Sequence, residues 1–293
     1  MHYRSTSYRI FTTANTILLT FLAILCILPL VHVLAVSLSS STAADANLVK
    51  LWPMGFTTEA YKVTLSNELF VNSFGISVLR TVLGTLISLL LSVMVGYALS
   101  KESEHFRGRN FYAWFLVFTM LFSGGLIPGY IVVQKLGLIN SIWSLILPGA
   151  LSVYNTILLL NFFRSSVPKA LEEAAFIDGA GHFRTLWKIY LPISLPSLAT
   201  ISLFTMVGHW NAWFDGLIYM TDSSRYPMST LLQTIVVQRD LSSMSVSADE
   251  VQALSNRTVK TAQIFIATIP IIAVYPFLQR FFVKGIVLGS VKE

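Results

Sequence analysis

Apolar residues run in long, nearly unbroken stretches along the chain, at residues 16–38, 81–99, 111–133, 142–163, 198–219 and 261–282. Each reaches the roughly 20 apolar residues that a helix needs to cross the hydrocarbon core of a bilayer. The pattern predicts an all-α polytopic membrane protein with about six transmembrane helices. The third and fourth stretches are broken or flanked by Gly124, Gly125, Pro128 and Pro148. Such breaks are tolerated where neighbouring helices or a water-lined cavity satisfy the freed backbone groups. Small residues at 39–44 follow the first stretch and resemble a cleavage site, but a signal-peptide core spans only about 7–15 residues. This stretch is longer and carries Pro29 and His32, so it reads as a retained span.

Composition agrees with the pattern. Hydrophobic residues make up 54% of the 293 and charged residues 12%, with a mean hydropathy of +0.68. A soluble domain carries roughly a quarter charged residues, so this chain cannot clothe a water-facing surface and suits one that faces lipid. The net charge of +6 does not indicate nucleic acid, because the basic residues sit in short clusters between apolar runs. Their distribution sets an orientation instead, since cytoplasmic loops keep an excess of Lys and Arg. Twelve belong to one side: Arg4, Arg9, Lys101, Arg107, Arg109, Arg164, Lys169, Arg184, Lys188, Arg280, Lys284 and Lys292. The other side holds Lys50, Lys62, Arg80, Lys135, Arg225, Arg239, Arg257 and Lys260. Both termini are thereby expected in the cytoplasm, with the connections 39–80 and 221–260 facing outward and residues 1–293 forming one transmembrane domain. The single cysteine, Cys26, cannot form an internal disulfide and reads as a buried small apolar side chain.

Between the fourth and fifth stretches lies a basic-side loop, residues 166–192. Its segment 169–178 combines strong helix formers with apolar Leu171, Ala174, Ala175 and Phe176. Ser166 offers an N-cap and Pro168 suits a first turn. Gly179 and Gly181 end the helix, since glycine takes left-handed dihedrals without penalty. A second amphipathic piece covers 183–190, and Pro192 and Pro196 precede the fifth stretch. The loop therefore reads as a helix–turn–helix at the cytoplasmic surface, with apolar and acidic groups that lack an obvious partner within the chain. From residues alone an interfacial amphipathic hairpin remains open.

Glu173-Ala174-Ala175, Gly179 four places beyond Ala175, and Ile189-Tyr190-Leu191-Pro192 after a nine-residue gap resemble the EAA loop of binding-protein-dependent ABC importer permeases. Asp178 and Ala180 also match the sugar-importer form of that loop. The run 275–285 is similar to the ending of maltose-type carbohydrate permeases. Residues 209–217, with His209, Trp210, Asn211, Trp213 and Asp215, look most like the branch importing oligosaccharides and polysaccharide fragments. The overall pattern resembles the smaller permease subunits of bacterial alginate importers. The resemblance implies a multi-pass subunit of the bacterial inner membrane with a second, different permease, a cytoplasmic ATPase homodimer and a soluble periplasmic binding protein as partners. ATP and Mg would sit on the ATPases, and this chain would hold no cofactor. It further implies that 166–192 forms coupling helices seated in an ATPase groove, with Glu173 facing a basic residue there and Gly179 making the turn. Phe176, Ile177 and Phe183 are the candidates for packing in that groove. The outward loop 221–260 corresponds to one that reaches toward the binding protein's sugar site.

His209, Asn211 and Asp215 are expected on one helix, with Asp215 a turn beyond Asn211. Polar groups at membrane depth face a bundle interior or a water-filled path. With Trp210 and Trp213 among them, they suit either a saccharide-lined path or interhelical hydrogen bonding. An acidic saccharide would disfavour Asp215 and favour His209. No Gly-x-x-x-x-Gly-Lys-Ser/Thr segment is present to cradle ATP phosphates, and no catalytic constellation is evident. The competing reading is an ion-coupled secondary transporter, for which Asp215 is the clear candidate acid. A membrane enzyme is disfavoured by the missing site residues.

Overall fold

The computed structural model describes residues 6–237 and 257–289. Regular structure among the described residues is entirely helical, and in chain order it begins with α1 (Thr6–Ser37), α2 (Ser41–Asp45), α3 (Glu59–Ser66) and α4 (Glu68–Ser100). There follow α5 (Arg109–Leu121), α6 (Leu126–Lys135), α7 (Ile142–Ile146), α8 (Val153–Ser166) and α9 (Lys169–Ile177). Next come α10 (His182–Thr185), a π-helical turn (Leu186–Tyr190), α11 (Leu191–Ile193), α12 (Leu195–Asn211) and α13 (Phe214–Tyr219). A 3₁₀ turn (Ser223–Arg225), α14 (Met228–Val237) and α15 (Arg257–Gly289) complete the order.

Three of the expected spans are unbroken helices, α1, α4 and α15, each long and apolar enough to cross a bilayer. The second span starts thirteen residues before its expected boundary of 81, because no proline stands between Glu68 and Ser100. The third stretch breaks at 122–125, where α5 and α6 meet at 114°. Gly125 adopts φ 90°, which only glycine takes without strain. The fourth breaks between α7 and α8, around Pro148 and Gly149. There Ser88 Oγ donates to Ala150 O (2.7 Å), and the Ser152 side chain caps α8 by accepting from Asn155 N (3.3 Å). Neighbouring side chains thus replace the lost helical bonds, as an apolar setting demands. The fifth stretch, read from the sequence as continuous, also breaks, at Ala212-Trp213 between α12 and α13.

One compact unit comprises Met1–Val71 and Leu232–Ile269. Nearly the whole of α1 is exposed, and Cys26 is exposed on it, contrary to the expected burial. An apolar helix without intramolecular cover has its outward side chains matched to lipid or another chain. The C-terminal end of α1 is tied down. Ser39 Oγ donates to Ala35 O (2.6 Å) and accepts from Met54 N (3.0 Å), while His32 Nδ1 bonds Lys50 O (2.6 Å). Arg257 Nη1 donates to Ala44 O (2.8 Å), and Val259 and Ala262 pack on Ala60.

The other unit, Asn72–Leu231 and Pro270–Glu293, has its core where α4, α8 and the 186–201 segment meet. Tyr97, Leu159, Phe163, Tyr190 and Ile201 are all buried there. Small residues bring α4 and α8 together: a Cβ on Gly96 would already touch Leu160 N and Thr156 O at 3.6 Å, and Thr156 Oγ1 donates to Ser92 Oγ (3.3 Å). Helices in lipid gain little from further apolar burial, so close backbone approach and hydroxyl bonds carry this contact.

Candidate coupling site and membrane break

The loop 166–192 folds as two short helices. Its first helix, α9, starts after Pro168, which serves as the N-cap position. Ser166 is instead the last residue of α8, so it does not cap α9 as expected. At the far end Ala180 N donates to Ala175 O (2.8 Å) and Gly179 N to Phe176 O (3.0 Å). These are the paired bonds of a Schellman stop, with Gly179 at the left-handed position at φ 77°. Gly181 was expected to share that role, but its φ of −77° is open to any residue and it caps α10. From α10 the chain continues helically to Ile193 through the π-turn, whose register suits Pro192. That residue has no N–H, and its ring would collide with a carbonyl four residues back. A bend of 83° then leads into α12.

One face of this hairpin is anchored. Glu172 is paired with Lys101 just beyond α4, and it accepts from Tyr190 Oη (2.6 Å). Lys101 Nζ also donates to Tyr190 Oη (3.2 Å) and lies 3.8 Å from the Tyr97 ring centroid. Burial alone would raise the Glu172 carboxyl. The hydrogen bonds from Lys101 and Tyr190, with the lysine charge, outweigh it and hold the group below the usual carboxylate range. Burial pushes the Lys101 ammonium down, partly offset by Glu172. A second pair, Lys169–Glu102, is exposed; its hydrogen bond and charge lower Glu102 and raise Lys169.

The other face is open. Ile177 is 86% exposed, Phe183 71% and Trp187 61%. Glu173, Ala174, Asp178, Gly179 and Pro192 are exposed, while Ala175 is half-buried. Glu173 forms no ion pair among the described residues. Phe176 is half-buried with its ring edge-on to His182 (5.1 Å between centroids). The sequence-based candidates therefore divide: Glu173, Ile177 and Phe183 share the exposed surface, and Phe176 turns partly inward. Glu172 and Lys101, which orient the hairpin, were missed. A carboxylate at 172 and a lysine just past the helix end were visible, but not their meeting.

The polar residues of the fifth stretch are arranged differently from the expected single helix. His209 and Asn211 end α12, whereas Asp215 begins the separate helix α13. Arg80, assigned from the sequence to an outward loop, lies inside α4 with a side chain only 2% exposed. It pairs with Asp215, and its Nη1 donates to Ala212 O (2.9 Å) at the break. Ser229 Oγ donates to Trp210 O, and Thr230 Oγ1 to Trp213 O (2.8 Å). One turn beyond Arg80, Gly84 receives the His209 ring: a Cβ there would stand 2.6 Å from Nε2. His209 also bonds the Gly84 backbone. Trp210 is buried edge-on to Phe74 (5.7 Å between centroids), Asn211 is exposed and Trp213 is 38% exposed. The continuous helix from 68 onward was the signal for Arg80. Ser229 and Thr230 had none. Of the outward loop, residues 238–256 lie outside those described.

The profile of binding-protein-dependent transport system inner membrane components matches residues 4–287. The chain belongs to that family. Among its relatives, the polygalacturonan/rhamnogalacturonan transport system permease protein YtcP of Bacillus subtilis is 42% identical over 94% of this chain and 95% of its own. Protein LplC of the same organism is 39% identical over 97% of this chain and 95% of its own. A chain of a bacterial ABC transporter involved in import of the acidic polysaccharide alginate is 33% identical. It superposes with a TM-score of 0.85, covering 96% of this chain and 100% of that one. The resemblance read from 173–192 and 209–217 thus names the family correctly.

Proposed function

We propose that this permease carries an acidic oligo- or polysaccharide fragment across the inner membrane, alginate being one such substrate, by alternating access driven by separate ATPase subunits. The observation that carries the reading is the two-faced hairpin 169–193. Glu172 fixes it to the membrane domain, while Glu173, Ile177 and Phe183 remain on a surface with no cover from its own chain. Exposed apolar residues beside an acid suit a groove with a basic residue on a cytoplasmic ATPase, which would hold ATP and Mg. Ala174, Ala175, Asp178, Gly179 and Pro192 shape that surface, and Phe176 braces it from within. The reading places the hairpin and both termini in the cytoplasm, with six membrane crossings, three of them broken. A second permease and a periplasmic binding protein complete the assembly.

The substrate class is supported by relatives named for pectic polysaccharides and alginate, all rich in carboxylates. The Arg80–Asp215 pair also fits it. An unpaired Asp215 would repel such a substrate, and pairing cancels that charge while withdrawing the acid an ion relay would use. His209, Asn211 and Trp213 remain as path candidates, with buried Trp210 in support. Helix α14 leads from this break into the outward loop, which would act against the binding protein. Glu173→Ala and Gly179→Val should insert normally yet lose ATP-driven uptake, read as accumulation of labelled uronate oligosaccharide in vesicles. Wild-type uptake by both variants would overturn the coupling assignment. Uptake of a neutral but not an acidic oligosaccharide would overturn the substrate class alone.

A further inference from the structure

Two arginines converge on one carbonyl at the end of α4. Arg109 Nε donates to Leu99 O (3.0 Å), and Arg164 Nη2 donates to the same oxygen (3.1 Å). Arg164 Nε reaches Ser100 O (3.3 Å). A single guanidinium would suffice to satisfy the Leu99 carbonyl, one of the orphan carbonyls of the helix end. The second adds a like charge at close range. Neither arginine forms an ion pair among the described residues.

Both arginines line a cavity of about 570 Å³. Of its four carboxylates, Glu102 and Glu172 are already held by Lys169 and Lys101, and Glu104 and Glu173 are exposed. Within α5, which Arg109 begins, Phe111 (72% exposed), Trp114 (73%) and Phe115 (55%) follow within two turns. Exposed aromatics next to paired cations at the end of a spanning helix mark the level of lipid headgroups. Arginine forks match phosphate oxygens in geometry as well as charge.

We infer that Arg109 and Arg164 together bind the phosphate of an anionic phospholipid headgroup, with the acyl chains lying along the aromatic face of α5. The inference rests on α4 spanning the membrane and is independent of what is transported. The lipid bridges two helix ends, α5 and α8, beside the anchored hairpin, so its loss would loosen that corner.

The test uses the full chain purified with its co-assembling subunits. Native mass spectrometry would measure retention of phosphatidylglycerol, phosphatidylcholine and soluble glycerol phosphate. The expected result is preferential phosphatidylglycerol binding, weakened about thirtyfold in Arg109→Gln/Arg164→Gln, following the contribution of each arginine at an anionic surface. Arg107→Gln, an exposed neighbour, should lose at most the several-fold of one surface charge, clearly less than the double variant. If the double variant fails to assemble, Arg164→Gln alone should weaken binding several-fold. Equal binding of both lipids by wild type, or unchanged binding by the variants, overturns the site. Full competition by glycerol phosphate overturns the lipid assignment in favour of a soluble phosphate. Because lipid retention is read directly, a failure of uptake would leave this result standing.

Discussion

At the α12–α13 break, the carbonyls of Trp210, Ala212 and Trp213 each meet a side chain of the same protein. In the α9–α10 hairpin, Ile177 and Phe183 stay largely exposed and Glu173 makes no ion pair among the described residues. Both are breaks between short helices, but their surroundings differ. Within the bilayer an unmet polar group costs several kcal/mol, so the break must be completed by its own chain or a neighbour. At an aqueous surface, water tolerates an unfinished face until a partner arrives. Unfinished surface is therefore informative at the hairpin, and finished polar surface is informative at the break.

The largest effect should come from Asp215→Ala. It would leave a guanidinium 2% exposed without its counter-charge, at a cost of about 3–5 kcal/mol. Poor accumulation in the membrane is expected, with partial recovery in Arg80→Met/Asp215→Leu, which removes the unpaired charge but leaves the Ala212 carbonyl without its donor. Equal accumulation of the single variant would place the break in water and erase the contrast. Next, Gly84→Ala should cost about 1–3 kcal/mol by driving a methyl into His209, and His209→Ala should relieve it. Thermal unfolding of the two single variants and the double variant measures that coupling.

Smaller effects test the hairpin. Glu172→Gln should loosen residues 169–181 by about 1–2 kcal/mol, whereas Glu173→Gln should leave their hydrogen exchange unchanged. The Glu172 carboxyl is held low in the fold. Its contribution is therefore complete above the ordinary carboxylate pKa and is lost as pH falls through the lower folded value. Protection factors of the hairpin amides, corrected for the intrinsic pH dependence of exchange, should fall over that acidic range in wild type and stay flat in Glu172→Gln. The smallest effect belongs to Lys169→Ala. Its pair with Glu102 is exposed, and no change in melting is expected.

Legibility followed the range of the interaction. The hairpin's C-terminal stop was readable because Gly179 acts on bonds within five residues of itself. The interruption of the third and fourth stretches was readable from Gly124, Gly125, Pro128 and Pro148 for the same reason. The fifth break was not, since Ala212-Trp213 contains neither glycine nor proline. What allows that break is Arg80, 132 residues away in sequence from the carbonyl it binds.

Hydropathy determined, without any structure, that the chain is helical and apolar, while the permease reading came from the resemblance of 173–192 to a known loop. Those properties are set by residue type and local order, which the linear sequence states directly. Only the tertiary structure decided which acid of the Glu172–Glu173 pair anchors the hairpin and which is left exposed. It likewise decided that Arg80 is a buried partner of Asp215 rather than a loop cation. The physical reason is common to both: a charge's role depends on what lies within a few ångströms, and that distance is fixed by packing between segments remote in the chain.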